Sequence, residues 1–203
     1  MTAISKQLEH LSKDKKLKKI IEQVGIIKHG KSEDLYFALM RSIVSQQLSV
    51  KAAATIFARF LKLFKDEYPH AKDVLKLKDE KLREAGLSYQ KAGYLKNIAR
   101  FSIEKTLDYK ELKSKTDDEL IEYLVQIKGV GRWTVEMLLM FSLGREDVFP
   151  KDDLGIQQGI VKLSGIEAAN KKDLYSKMDE VAEKWRPYRT LACMYLWRFK
   201  DTK

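Results

Sequence analysis

The chain is poor in the residues that cross-link, break or metallate proteins. Its 203 residues include one cysteine, Cys193, set in an apolar run that reads as helix. A lone thiol excludes a disulfide framework, and with it an iron–sulfur cluster that needs four thiolates. Three histidines, at positions 10, 29 and 70, are too scattered to argue for a zinc site. No apolar run approaches the roughly 18 residues of a membrane span, and the N-terminus carries no apolar signal core. These absences predict a cytoplasmic protein, or a nuclear one in a eukaryote, with no membrane partner. Only three prolines occur, and no segment sustains the alternation of a half-buried strand. The expected fold class is all-α.

Apolar and charged residues are plentiful. A hydrophobic share of 44% is enough to bury a core, as one large domain or two small lobes. Lysine and arginine number 39 against 29 acidic residues, a net charge of +10. Such an excess argues for an anionic partner, nucleic acid first, because released counterions drive that association. The plainer alternative is a lysine-rich surface that serves solubility, which also suits the run Lys13–Lys19.

Helical spacing recurs along the chain, as in Leu35, Leu39 and Ile43, and in Ile56, Phe60 and Phe64. Candidate N-caps are Ser32, Ser49, Asp79, Ser88 and Asn170, with Thr116 and Glu119 spaced as a capping box and Gly86 placed to end a helix. One or two helices are expected in residues 1–30, and a helical pair in 33–64 joined at Gln46–Ser49. Three or four short helices are expected in 71–124, and three longer ones in 131–200.

The most informative stretch runs from Leu124 to Asp153, LVQIKGVGRWTVEMLLMFSLGREDVFPKDD. A helical pattern enters a tight Gly129-Val130-Gly131 turn and restarts as a second helix. Glycine permits the dihedrals and close approach that a side chain would obstruct. The amide N–H groups at the next helix start, with the helix dipole, suit a phosphate. Lys128 and Arg132 add charge without base specificity. A turn of this kind also joins helices for packing alone. The pattern then breaks at Pro150 and delivers two carboxylates, Asp152 and Asp153, the second 22 residues after Gly131 and at a helix start. Removing a base from DNA builds positive charge on the sugar, and a fixed carboxylate stabilises it. Capping the following helix is the plainer role for Asp153.

The segment Ile127-Lys128-Gly129-Val130-Gly131-Arg132-Trp133-Thr134, followed by Asp147 to Asp153, resembles the helix-hairpin-helix DNA glycosylase superfamily. More narrowly, it resembles the 3-methyladenine-DNA glycosylase II branch. Two other stretches match that branch: Arg41 to Val50, RSIVSQQLSV, and Glu183 to Arg189, EKWRPYR, through Trp197. The resemblance covers residues 30–200 and keeps chain order. It implies one glycosylase unit built as a two-lobed helical fold with a cleft between lobes. Lobe A would hold residues 1–30 and 131–203, and lobe B residues 31–130. Some relatives add an N-terminal β-rich domain, which this chain is expected to lack.

The resemblance also assigns roles. It implies a monomer acting on damaged double-stranded DNA, flipping out alkylated purines, with 3-methyladenine first and 7-methylguanine and related bases as further candidates. This is the opening step of base excision repair, and no cofactor is expected. The catalytic aspartate falls on the second acidic position, Asp153, leaving Asp152 structural. Trp133 and Trp197 become walls of the base pocket, with an indole face for cationic bases; core packing is the alternative role for each. Met137, one turn after Trp133, stands where some relatives place a tyrosine. DNA contacts are expected from Lys128, Gly129, Val130, Gly131, Arg132 and Thr134.

Gln47 matches the side chain that fills the gap left in the base stack, where some relatives use leucine, and Gln46 is read as structural. Relatives that nick the strand carry a lysine after the hairpin's Gly-Arg; here Trp133 stands there, and an indole forms no Schiff base. A monofunctional enzyme without lyase activity follows. No side-chain metal set is visible, though relatives suggest an alkali ion on backbone carbonyls such as those of Ile127 and Val130. Trp185 and Tyr188 read as packing or pocket-rim residues, and Arg186 and Arg189 as contacts to phosphate or to acidic residues. Two competing readings are a same-fold glycosylase for another lesion and a non-catalytic helix-hairpin-helix DNA-binding module.

Overall fold

The computed structural model describes residues 3–27 and 32–200. His29 and the expected lobe boundary near residue 30 lie outside the described residues. The described chain forms, in order, α1 (Ala3–Leu11), α2 (Lys15–Val24), α3 (Leu35–Ser45), α4 (Val50–Leu61), α5 (Ala71–Lys76), α6 (Asp79–Glu84) and α7 (Tyr89–Glu104). There follow α8 (Tyr109–Leu112), α9 (Asp117–Leu124), α10 (Arg132–Phe141), α11 (Leu154–Ser164), α12 (Lys171–Glu183) and α13 (Arg189–Lys200). No strand occurs among the described residues, and no helix among them is long and apolar enough to cross a membrane.

Two compact units divide the chain, one of residues 1–30 and 144–203, the other of residues 31–143. The sequence pattern was expected to end lobe B at residue 130; the structure carries α10 with it, to residue 143. The reason is packing. Val135, Leu138, Leu139 and Met140 of α10 are buried, and this helix lies against α3 and α9.

In the second unit, α7 is the central element, packing on α3, α5 and α6. Its Leu95, Ile98 and Ala99 are fully enclosed, as are Leu39, Met40, Ile43 and Val44 of α3. Each large aliphatic side chain so buried contributes about 1.5–3 kcal/mol relative to exposure. Local signals set the helix starts. Ser49 accepts from Ala52 N–H and Ser88 from Lys91 N–H, and Thr116 with Glu119 completes a capping box ahead of α9. Two expected caps are displaced. Asp34, not Ser32, caps α3 by accepting from Phe37 N–H, because the apolar face begins only at Leu35. Asp79 is the first residue of α6 rather than its cap, and serves the helix dipole there. Gly86 follows α6 with φ +102°, as a helix-ending glycine should.

Segmentation differs from expectation between 71 and 124, where five helices form and α7 runs for 16 residues. Beyond residue 131 there are four helices instead of three, because the chain breaks again through Pro150 before Asp153 restarts it.

In the first unit, α13 is buried at every position from Thr190 to Leu196. It packs on α11 and α2. Gly159 of α11 permits that approach: a Cβ there would meet Leu196 O at 2.8 Å and Leu196 Cβ at 2.9 Å. Trp185 is fully buried and donates its indole N–H to Asp14 Oδ2 at 3.0 Å, while Lys184 Nζ pairs with the same oxygen at 3.0 Å. Burial alone would raise the Asp14 pKa. The bonds from Lys184, Trp185 and the N–H groups of Lys16 and Leu17 outweigh it and hold the carboxyl below its ordinary value. Trp185 thus packs in the core, the first of the two roles read for it.

Candidate active site

Asp153 stands where the broken chain after Pro150 becomes helix again. Its Oδ1 accepts Ile156 N–H at 2.8 Å, the N-cap bond of α11. The same Oδ1 accepts Trp197 Nε1–H at 2.7 Å. One carboxylate oxygen therefore takes a backbone donor and an indole donor. Both expected roles of Asp153 begin from this geometry: it caps, and it is held in place from two directions. Both residues are partly exposed.

The indole reaches the carboxylate over Gly155. A Cβ at position 155 would lie 2.7 Å from Trp197 Cδ1 and 3.1 Å from Asp153 Oδ1. Gly155 and Gly159 are one turn apart on α11, so one pair of glycines lets α13 close on α11 and lets its tryptophan reach the cap. Sequence reasoning did not single out either glycine. Their spacing of four within an apolar helix was the available signal. It also treated Trp197 as an aromatic wall and missed its N–H as a donor.

Asp152 is engaged differently. Its Oδ1 accepts from Tyr175 OH and pairs with Lys171 Nζ at 3.2 Å. That is the structural role read for it. Arg189 grips Asp147 with Nε at 2.6 Å to Oδ1 and with its terminal nitrogen on the same carboxylate and the backbone oxygen. Arg186 joins them on Asp147 Oδ2 and also pairs with Glu183. Of their two expected roles, this is the holding of acidic residues. Lys151, beside the pair of aspartates, is tied to Asp179 at 2.7 Å.

In the second unit, the hairpin between α9 and α10 has the expected form. Gly129 has φ +106°, and a Cβ there would stand 2.2 Å from Tyr94 Cγ. The Tyr94 ring lies where a side chain would be, so no other residue fits. Asn97 Nδ2 donates to Lys128 O at 3.1 Å, and Val130 N–H to Ile127 O at 2.9 Å. Gly131 is the N-cap of α10, and no side chain caps that helix. The N–H groups of Gly131, Arg132 and Thr134 thus open a first turn suited to an outside anion.

Lys128 and Arg132 are exposed, and Arg132 Nε pairs with Glu136 at 3.1 Å. The Thr134 side chain is buried and accepts from Gln46 Nε2 at 3.3 Å, so only its backbone faces the anion role. Trp133 and Met137 are half-buried, one turn apart on α10. The described residues contain no cluster of metal-ligating side chains. Carbonyl oxygens such as those of Ile127 and Val130 are of the kind a hard cation takes.

Gln47 is exposed in the turn between α3 and α4, with φ 58°. A left-handed backbone at a non-glycine residue costs on the order of 1–2 kcal/mol, and such strain gathers at functional positions. Leu48 and Val50 beside it are also exposed, Val50 to 89%. Gln46 ends α3 and bonds inward to Thr134, the structural role expected of it. Lys91 of α7 donates to Val44 O and Gln46 O at 2.7 Å each, and burial pulls its pKa down.

Comparison with known proteins gives a consistent result. The model of the HhH-GPD superfamily of base excision DNA repair proteins matches residues 40–187. DNA-3-methyladenine glycosylase 1 of Schizosaccharomyces pombe is 38% identical over 204 residues, which cover 98% of this chain and 88% of that protein. A solved S. pombe 3-methyladenine DNA glycosylase in complex with abasic DNA aligns with a TM-score of 0.87 at 37% identity. That alignment covers 98% of this chain and all of the other. A Bacillus halodurans DNA-3-methyladenine glycosidase aligns with a TM-score of 0.80 at 35% identity, over 99% of this chain and 90% of the other.

Proposed function

Because the chain belongs to the HhH-GPD superfamily of base excision DNA repair proteins, we propose that it is a DNA-3-methyladenine glycosylase, which removes alkylated purines from duplex DNA. The observation that carries the chemistry is Asp153, a carboxylate fixed at a helix start by two donors on one oxygen. Likeness over nearly the whole chain to the S. pombe enzyme supports the substrate class.

The target base leaves the stack before its bond is reached. Adenine methylated at N3, or guanine at N7, is cationic in DNA, so the base departs as a neutral molecule when it takes the glycosidic electron pair. Positive charge then passes to the sugar, where the Asp153 carboxylate stabilises it. A water adds to C1′, its proton passes to Asp153, and the products are the free base and an abasic sugar. The Trp197 N–H keeps the carboxylate oriented through this sequence. Trp133 is assigned to stack on the flipped base, an attraction worth about 0.5–2 kcal/mol for a cation, with Met137 beside it as a polarisable neighbour.

The duplex is gripped through its phosphates by the first turn of α10, with Lys128 and Arg132 adding charge. Gln47, projecting from its strained turn, fills the space the base vacates. Position 133 offers an indole where strand-nicking relatives offer an amine, so the abasic strand is left intact. The enzyme works as a monomer, without a cofactor, where DNA is.

The test is release of free bases from dimethyl-sulfate-treated duplex DNA, resolved by chromatography, with an alkali-free gel read for strand breaks. Release of 3-methyladenine with unbroken strands is the expected result. Salt-sensitive binding with no base released would mark a binding module instead, and strand breaks would overturn the monofunctional assignment.

A further inference from the structure

Lys91 is half-buried, and nothing in the proposed chemistry uses it. Its ammonium sits on the carbonyls of Val44 and Gln46, at 2.7 Å from each. These are among the last carbonyls of α3, the negative end of the helix dipole, where a cation is favoured. The Gln46 carbonyl also belongs to the peptide that joins Gln46 to Gln47. Fixing that carbonyl fixes the plane about which Gln47 takes its left-handed φ of 58°.

The helix carrying Lys91 has a second attachment. Three residues on, Tyr94 of α7 fills the space above Gly129, and Asn97 donates to the Lys128 carbonyl. The turn itself is tied to the start of α10 by the Gln46–Thr134 bond. One side of α7 therefore holds both the hairpin loop and the turn that projects Gln47. In a duplex, the step to be filled stands at a set distance from the phosphates to be gripped, so the two elements need a fixed spacing.

We propose that Lys91 is a positioning residue for base extrusion: from α7, it locks the Gln47 turn in register with the phosphate-gripping hairpin. This rests on the proposed roles of Gln47 and of the hairpin. Loss of the two bonds frees the Gln46–Gln47 peptide, and a misplaced plug of this kind slows a reaction by about tenfold to a hundredfold.

The experiment uses the full chain with Lys91→Met and Lys91→Arg, each alone and combined with Gln47→Ala. Single-turnover excision of 7-methylguanine is read in duplex and in single-stranded oligonucleotides. Plug insertion is read separately, as fluorescence of 2-aminopurine placed opposite a stable abasic analogue. Lys91→Met is expected to slow duplex excision and blunt the fluorescence change. It should leave single-stranded excision near wild type, and add no further loss in the Gln47→Ala background. Lys91→Arg, which keeps two donors and the charge, should recover most of the duplex rate and covers the case in which methionine unfolds the protein.

Equal loss on both substrates would overturn the proposal, as would full additivity with Gln47→Ala, or no loss in Lys91→Met. If wild type releases no base yet shows the Lys91-dependent fluorescence, the glycosylase reading fails while the register stands. Fluorescence indifferent to Lys91 removes the register whatever the chemistry.

Discussion

Asp153→Asn separates capping from catalysis with little ambiguity. One oxygen of the Asp153 side chain accepts from Ile156 N–H at 2.8 Å and from Trp197 Nε1–H at 2.7 Å. Asparagine has one carbonyl oxygen, and it can accept both. Asparagine and aspartate are also near-equal N-caps, so the variant should keep its stability to within about 0.5 kcal/mol, whereas Asp153→Ala should lose about 0.5–2 kcal/mol as any lost cap does. What asparagine removes is the negative charge. Without it the cationic sugar has no fixed counter-charge, and the loss of one preorganised electrostatic partner costs about 10²–10³ in rate, or about 2.7–4 kcal/mol of barrier.

The assay is single-turnover release of 3-methyladenine from methylated duplex DNA, with thermal melting and duplex binding measured on the same preparation. Unchanged melting and binding with excision down by two orders of magnitude or more is the expected pattern. Excision within a few-fold of wild type would refute the catalytic role and leave Asp153 a helix cap. Loss of activity that tracked loss of melting temperature would refute it equally.

Three other perturbations test neighbouring parts of the argument. Trp197→Phe keeps an aromatic ring but deletes the donor to Asp153; a bond to a charged group is worth about 1.5–3 kcal/mol, so excision should fall by about tenfold or more, and an unchanged rate would deny the indole its positioning role. Gly159→Ala places a methyl 2.8 Å from Leu196 O, backbone that cannot swing aside; despite better helix propensity, overpacking should cost about 1–3 kcal/mol, read as a lower melting temperature, and a rise would deny the close approach of α11 to α13. Asp14 has a folded pKa below the ordinary 3.8, so the stability it lends is complete above that value and is lost as pH falls through the folded pKa. Asp14→Asn should therefore melt below wild type at neutral pH, with the gap closing under acid; a gap independent of pH would show that charge plays no part.

The parts of this structure that could be read from sequence are those in which one residue dictates its own neighbourhood. Thr116 and Glu119 announce a capping box within four residues, and the Gly129-Val130-Gly131 run announces a turn whose first glycine leaves no room for a side chain. The class of fold follows from such local signals, and so does the location of Asp153 at a helix start. Where a helix begins one or two residues off, as at Asp34 against Ser32, the competing cap was equally good chemistry and only the burial of Leu35 decided. The unit boundary failed for the same reason: α10 is a restart in sequence, but its apolar face packs on α3 and α9.

The less legible part of the site is long-range. Trp197 is 44 residues from the carboxylate it holds, and what brings them together is the smallness of Gly155 and Gly159, a property that leaves no chemical mark of its own. Lys91 looked like any other solvated lysine among 39 basic residues, because the two carbonyls it binds belong to backbone, which every residue has. A carboxylate's place at a helix start can thus be read from its motif, whereas its aim is set by groups whose contacts exist only after packing. For this chain the carboxylate proposed to react and the residues that orient it should therefore respond differently to substitution. Asp153 should tolerate no change of charge, while Trp197 and Lys91 should tolerate any replacement that still donates a hydrogen bond from the same place.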